Sequence, residues 1–574
     1  MQFDSKKEYV ARLLDEGQKF IIPEYQRPYR WTKDECETLW NDILGVFGDG
    51  SNVEEYFLGS IVTYKNDNGG LEIIDGQQRI TTLTLLFRAF YECFSHGIAQ
   101  KNQFFLVGFG KCIWEIDFKK GLIFENNHLN SKVITDNNND ILKNILSEKI
   151  DITKIKNNNS NYAKNYIFFY EKLREFIVNE PLLFEKLCEM FLQKKLFVLL
   201  VVCDSQESAM TIFNTLNSRG LPLSNADILK GYIYKKVKNK EKFANDWKDI
   251  ETKIEESDNI KDLDFLFLQY MHIIRAENED TNTTTQGVLP FFTKTDKKEY
   301  YGALQNWLYK PETIPFISNL ADFWIKPKNY LSDKSSRYIN ILNLFQNDTW
   351  KFFVSYLVWR NKDCFNDNFD KDKFSEEFDK YLPKLIKVIT LHFINKNAST
   401  NVIKDIVFKM NVSLKKNNEE NFPEIQQSIP EKEIFLDIMK NFDTRKIKYI
   451  LFLYAYIYSE FKEDINASDL EVEHILPKEW QNMDVSDFDE ESHKKYVEKI
   501  GNKILLDKKS NIKCSNNFFA KKQEIYKKIY DKGYNLKEVY DLGIRERNIW
   551  EKKDIENREE EIYKNLNSFL SSNN

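Results

Sequence analysis

Residues 73–86 read IIDGQQRITTLTLL, and the order of residue types in this stretch decides the architecture around it. A β-branched run gives way to an Asp-Gly turn and then to residues that open a helix, so the segment is strand–turn–helix. That junction gathers free backbone N–H groups and the positive end of a helix dipole at one point, a natural anion site. Gly76 lets the backbone approach a phosphate closely. Arg79 adds a charge-assisted, bidentate-capable donor, and Thr81 and Thr82 add hydroxyls. Asp75 is placed to hold a metal ion or orient a water. No GxxxxGK[ST] occurs, so this is not a P-loop. The spacing predicts a helix from about Thr81 to Phe94.

Upstream, YFLGSIVTY (56–64) and LEIID (71–75) are β-rich and separated by Asn/Gly turn residues, which predicts a hairpin. Thr32 to Glu35 form a capping box opening a helix whose Cys36, Leu39, Trp40, Ile43 and Leu44 share one apolar face. IPEYQRPYRW (22–31) crowds Tyr25, Gln26, Arg27, Tyr29, Arg30 and Trp31 beside two stiffening prolines. Such a loop suits gripping a base or phosphate, and it equally suits a surface loop packed on the hairpin. Downstream, LFVLLVVCD (196–204) reads as a buried strand. It feeds SQESAMTIFNTLNSRG, ended by Gly220, and Ser224 caps the next helix. Asn/Lys-rich TDNNND (135–140) and KNNNSN (156–161) read as loop tips.

From about 240 to 440 the chain is helical and aromatic, with Trp, Tyr and Phe recurring at helical spacing as a core does. With 574 residues the chain exceeds what one hydrophobic core sustains. The expectation is three domains, 1–240, 241–440 and 441–574. The seven cysteines include no CxxC pair, which excludes a disulfide scaffold and argues against a cysteine zinc ribbon. The N-terminus lacks a signal-peptide core and no apolar run spans a bilayer, so the expected setting is cytoplasmic, with no membrane partner. Net charge is -6, yet residues 494–553 hold 17 Lys/Arg against 8 Asp/Glu. That basic block can track a phosphate backbone, or simply form a solvated lysine-rich helical face.

A second constellation, EVEHILPKEW (471–480) followed by GNKILLDKKSN (501–511), sets Glu473 beside His474 with Pro477 after them, and places Asn502 nine residues before Asn511. Phosphodiester hydrolysis needs a base for water and a divalent cation at the phosphate. His474 suits the first role and Glu473 and Asn511, as hard oxygen donors, the second.

These residues resemble the ββα-metal (HNH) nuclease pattern. The resemblance implies that His474 is the general base, that Asn502 braces the loop aiming it, and that Glu473 and Asn511 bind the metal. Lys503 departs from the usual Leu. The Glu-His form, the Gly501-Asn502 start and NFFAK (517–521) look more specifically like the nuclease half of GmrSD-type restriction proteins. IPEYQRPYRW, FLGSIV, IIDGQQRITTLTLL and IFNTLNSRGLPLSNADILKGYI (212–233) resemble, in order, four signatures of the GmrS-type domain, with its ParB/sulfiredoxin-like fold and NTPase activity.

The implied fold class is helix-rich, multidomain α+β: an N-terminal ParB-like α/β domain, a helical middle and a C-terminal HNH domain. The implied function is NTP-dependent type IV restriction of modified phage DNA. Nucleoside triphosphate (GTP, UTP, CTP or ATP) would be held by Asp75, Gly76, Gln77, Gln78, Arg79, Thr81 and Thr82, with Asn214, Asn217 and Arg219 completing the pocket. Modified DNA would be sensed with Tyr25, Gln26, Arg27 and Tyr29. Mg²⁺ or Mn²⁺ is the implied metal, and ParB-like relatives add the expectation of a homodimer. Two alternatives of other classes fit the same residues: a nucleotide-binding DNA-associated regulator with an inactive HNH domain, and a non-specific nuclease toxin.

Overall fold

The computed structural model describes residues 3–15, 18–48, 55–66, 69–97, 102–133, 136–193, 195–206, 208–210, 212, 224–257, 260–345, 347–366, 368–396, 400–417, 422, 427–462, 469–479, 487–530 and 536–571. The chain forms two compact units, residues 1–249 and 250–574. From residue 250 on, the helical stretch expected as a middle domain (241–440) groups with the C-terminal segment. Among the described residues no helix is long and apolar enough to cross a membrane.

The first unit is built on a mixed six-stranded sheet. Its strands are β1 (Phe3–Tyr9), β2 (Phe20–Ile22), β3 (Tyr56–Lys65), β4 (Leu71–Asp75), β7 (Leu129–Ser131) and β8 (Leu196–Cys203). A short pair, β5 (Trp114–Asp117) and β6 (Gly121–Asn127), stands apart. The order across the sheet is β1-β8-β3-β4-β2-β7. β3 and β4 form the expected antiparallel hairpin, while β8 runs parallel to β3 and is buried along most of its length. Both β3 and β8 are interior strands of the sheet, and Ile61, Val62 and Thr63 of β3 are buried in succession, as expected for strands covered by neighbours on both edges.

The helix after β4 starts earlier than the sequence indicates. It spans Gln77–Ser95, so Gln77, Gln78 and Arg79 form its first turn. No Ser, Thr, Asp or Asn caps it. Gly76 does, in the left-handed region at φ 91°, and that is why the usual start signal is missing. From Ile80 to Phe94 the helix is buried, and it packs on the helix Asn161–Asn179. Inside this core Arg88 ion-pairs with Glu92, and its Nε donates to the Ile145 carbonyl at 2.9 Å. Thr32 and Glu35 do cap the helix Lys33–Gly48, with half of the expected box: the Thr32 amide donates to Glu35 Oε2 at 2.7 Å, while Thr32 Oγ1 accepts from the Asp34 amide at 3.3 Å rather than from that of Glu35.

The second unit is mainly helical, and its aromatic stripes are core. Tyr270 stacks on Phe292, meets Trp307 edge-to-face and tilts against Phe316 and Trp359, and all five are buried. One hairpin interrupts the helices: β9 (Leu470–His474) pairs antiparallel with β10 (Lys503–Asp507), His474 opposite Lys503. The short helix Lys508–Cys514 follows directly, capped by Asp507. The local order is strand, strand, helix.

Candidate functional site

The hairpin and its helix assemble a site in the second unit. Glu473 and His474 end β9, and Asn511 sits on the helix after β10. All three line one cavity of about 610 Å³, together with Lys440, Lys478, Glu498 and Lys503. Asn502 lies just below and is fully buried. Its Oδ1 accepts from the Leu476 amide at 2.6 Å and from Trp550 Nε1 at 3.2 Å. Its Nδ2 donates to the carbonyls of Val497 (2.9 Å) and Leu476 (3.2 Å). Every polar atom of this amide is used in fastening the start of the long β9–β10 connection to its end, a role a shorter or apolar side chain cannot take.

His474 is mostly buried, and burial pushes its imidazole down to about 4. The Glu498 carboxylate, 3.5 Å from Nε2, opposes the shift, whereas the Lys503 and Lys478 ammonium groups add to it. The ordinary value that makes histidine a near-neutral base therefore does not hold here: the ring is neutral at neutral pH, ready to accept a proton, but intrinsically weaker as a base. Glu473 is buried, and burial raises its carboxyl against the opposing Lys522 ammonium. Lys522 Nζ is 2.6 Å from Glu473 Oε1 and donates to the His474 carbonyl at 2.5 Å. Lys522 thus ties down both residues at the end of β9.

Asn511 Nδ2 donates to Glu471 Oε2 at 3.0 Å, which fixes the amide's orientation and turns its oxygen into the group it presents elsewhere. Among the described residues no three His, Cys, Asp or Glu side chains converge as metal ligands. The donors on this wall are a carboxylate and a carboxamide oxygen, a set that fits a hard divalent cation retaining several waters. Lys503 is marked in the sequence only as a departure from the motif, and Glu471, Glu498 and Lys522 carry no separate signal there. Their positions relative to His474 exist only once β9, β10 and the helix Phe519–Tyr530 come together.

In the first unit the structure gathers the sequence-predicted residues around the β4–helix junction, with divided roles. Arg79 Nη1 donates to the Ser60 carbonyl at 2.8 Å, and its guanidinium occupies space that a side chain at Gly59 would fill. Burial raises the Asp75 carboxyl, opposed by Arg79, the Gly76 amide and Arg27. Gln78 is spent holding the 22–31 loop: Oε1 accepts from the amides of Arg30 (2.7 Å) and Trp31 (3.2 Å), and Nε2 donates to the Pro28 carbonyl. Gln77 Nε2 donates to the Arg27 carbonyl and Gln26 Nε2 to that of Ile74.

Thr81 and Thr82 are buried, and Thr82 Oγ1 bonds Tyr29 at 2.6 Å inside the core. Tyr25 and Tyr29 are buried too, Tyr29 stacked on Tyr162 and Tyr25 bonded to Gln206. Hence Thr81, Thr82, Tyr25 and Tyr29 serve the fold, whereas Asp75, Arg79 and Arg27 form the charged group. Gln26 Oε1, Gln77 Oε1 and Arg27 Nε are buried with no hydrogen-bond partner, so the residues present fit a polar ligand at this junction. Asn214, Asn217 and Arg219 lie outside the described residues.

Gly76 is the backbone requirement of the junction. A Cβ there would meet Ile61 Cγ1 at 2.9 Å and Ile61 Cα at 3.2 Å, in a backbone region side chains rarely adopt. Gly76→Val is expected to destabilise the first unit by about 1–3 kcal/mol. An unchanged thermal midpoint would refute that reading of the turn.

Comparison with known proteins places both halves in one family. Residues 10–234 match the GmrSD restriction endonuclease N-terminal domain, and residues 427–565 match the GmrSD restriction endonuclease C-terminal domain. The chain belongs to the GmrSD restriction endonuclease family. An uncharacterized protein of Methanocaldococcus jannaschii is 27% identical over 247 residues, 39% of this chain. The chain spans 40% of that relative's length.

Proposed function

We propose that the chain is a restriction nuclease that hydrolyses DNA phosphodiesters at the β9–β10 site, gated by a nucleoside triphosphate bound at the β4–helix junction, and directed at modified DNA. The observation that carries this reading is the convergence of His474, Glu473 and Asn511 on one cavity, over a loop whose ends are fastened by Asn502. This strand–strand–helix arrangement supports the HNH assignment. The His474 ring nitrogen takes the proton of the attacking water as the water oxygen bonds to phosphorus and the P–O bond to the leaving sugar oxygen breaks. Glu473 and Asn511 would hold a divalent cation, Mg²⁺ or Mn²⁺. Bound there, that cation would supply charge stabilisation to the phosphate and the leaving oxygen. Lys440 and Lys478 on the same wall favour a polyanion.

In the first unit, Arg79 and Arg27 face the triphosphate charge and Asp75 orients water or cation. Nucleotide-dependent rearrangement would keep the nuclease off until modified DNA is recognised, sparing host DNA.

The test is a matched cleavage assay on plain, glucosyl-hydroxymethylcytosine and phosphorothioate DNA, with Mg²⁺ or Mn²⁺, with and without mixed NTPs. The expected result is cutting of a modified substrate, abolished by EDTA and restored by excess metal. Arg79→Ala is expected to weaken the nucleotide requirement or the cutting that depends on it, because it removes the guanidinium at the junction. Equal, NTP-independent cutting of all three DNAs would replace the restriction reading with a non-specific nuclease. Undiminished cutting in EDTA would remove the cation from the scheme.

A further inference from the structure

Lys503 is the residue at which the hairpin departs from the motif it resembles, and its placement shows what the substitution does. It stands directly opposite His474 in the β9–β10 ladder and is almost fully buried. Its Nζ lies 2.7 Å from Glu498 Oε2. The same carboxylate oxygen lies 3.5 Å from His474 Nε2. Glu498 itself is half exposed, with its side chain at 55%. An exposed glutamate would ordinarily sample many rotamers. Here a buried lysine across the ladder holds its carboxylate against the histidine ring. A leucine at position 503 would leave that carboxylate without its anchor.

We propose that Glu498 is a positioning residue for His474, accepting the Nε2–H of the ring, and that Lys503 is the clamp holding Glu498 there. A carboxylate accepting from Nε2 assigns the ring proton to that nitrogen and leaves Nδ1 as the proton-accepting atom. It also stabilises the imidazolium that forms when the water's proton arrives, as the third member of a catalytic triad does. The separation of 3.5 Å is long, as catalytic hydrogen bonds often are before substrate binds. No other carboxylate among the described residues is paired with the His474 ring.

The inference rests on His474 being the base, and the experiment separates the two. Steady-state cleavage by the full chain would be measured for Glu498→Ala, Glu498→Gln, Lys503→Met, His474→Ala and the double variant Glu498→Ala/His474→Ala, on the DNA and metal that the wild type cuts. Glu498→Ala is expected to lower kcat about 10- to 100-fold with KM for DNA little changed. Glu498→Gln, which keeps an acceptor without the charge, should recover part of that loss, and Lys503→Met should fall between them. In the His474→Ala background Glu498→Ala should cost nothing further, since its effect runs through the ring. In ¹⁵N-histidine spectra the His474 Nε2–H signal, identified by its loss in His474→Ala, should be sharp in wild type and broadened by exchange in Glu498→Ala.

Wild-type kcat in Glu498→Ala beside a dead His474→Ala would overturn the inference alone. So would a further loss from Glu498→Ala in the His474→Ala background, which would make Glu498 a DNA or fold contact. Wild-type cleavage by His474→Ala would overturn the underlying assignment.

Discussion

His474→Ala is expected to lower the cleavage rate about 10²- to 10⁴-fold, the range that removing a general base costs, while DNA affinity stays within a few-fold of wild type. The ring is held neutral by burial among Lys503, Lys478 and the strand end, so at neutral pH it is in the form that accepts a proton. Its carbonyl, not its ring, takes the Lys522 hydrogen bond, so the substitution leaves the backbone anchoring intact. The variant should therefore fold, bind and fail only in turnover. Single-turnover cleavage beside a DNA-binding titration checks this. Cutting at the wild-type rate would mean that the base lies elsewhere. Equal loss of binding and rate would assign His474 to DNA contact rather than proton transfer.

Arg558→Ala is expected to destabilise the second unit by about 3–5 kcal/mol. Arg558 is buried on the helix Lys552–Ser571 and donates through Nη1 to the carbonyls of Gly501 (3.0 Å) and Lys503 (2.7 Å). It also ion-pairs with the buried Glu538. The 500–503 backbone is thereby pinned from behind while Asn502 fastens it from the front. Removing the guanidinium strands a buried carboxylate and frees the start of β10. Burial raises the Glu538 carboxyl and Arg558 opposes that shift, so the charged form leans on its partner. Urea unfolding followed in the full chain should show the lower-midpoint transition, and Glu538→Gln in the same background should recover part of the loss. An unchanged midpoint would show that the pair contributes nothing net, as some buried pairs do.

Both experiments turn on contacts that differ in how far they could be read in advance. The Glu473-His474 pair, Pro477 and the Asn502/Asn511 spacing are local and carry the strand–loop–strand–helix pattern in their order. The β3–β4 hairpin and the helix at Thr32–Glu35 are equally local, written in turn and cap residues. Helix Gln77–Ser95 began earlier than its apolar period suggested because a left-handed glycine caps it, and a glycine is a weaker start signal than a hydroxyl or carboxylate. Thr81, Thr82, Tyr25 and Tyr29 looked available for ligand because their chemistry is polar. Their burial depends on the helix Asn161–Asn179 and on Gln206, far along the chain.

By itself, then, the sequence determined the elements at both chemical centres and the residue types they present, because hydrophobic period, capping and turn chemistry act within a few residues. The tertiary structure decided which of those groups face the cavity and which are consumed in packing. It set Lys503 and Glu498 against His474, Lys522 against Glu473, and Arg558 behind β10. It also joined the helical middle to the C-terminal segment in one unit. Most of these rest on contacts between residues far apart in the chain, up to the 181 positions between Tyr25 and Gln206, and the free energy of such contacts depends on a burial that only the assembled chain creates.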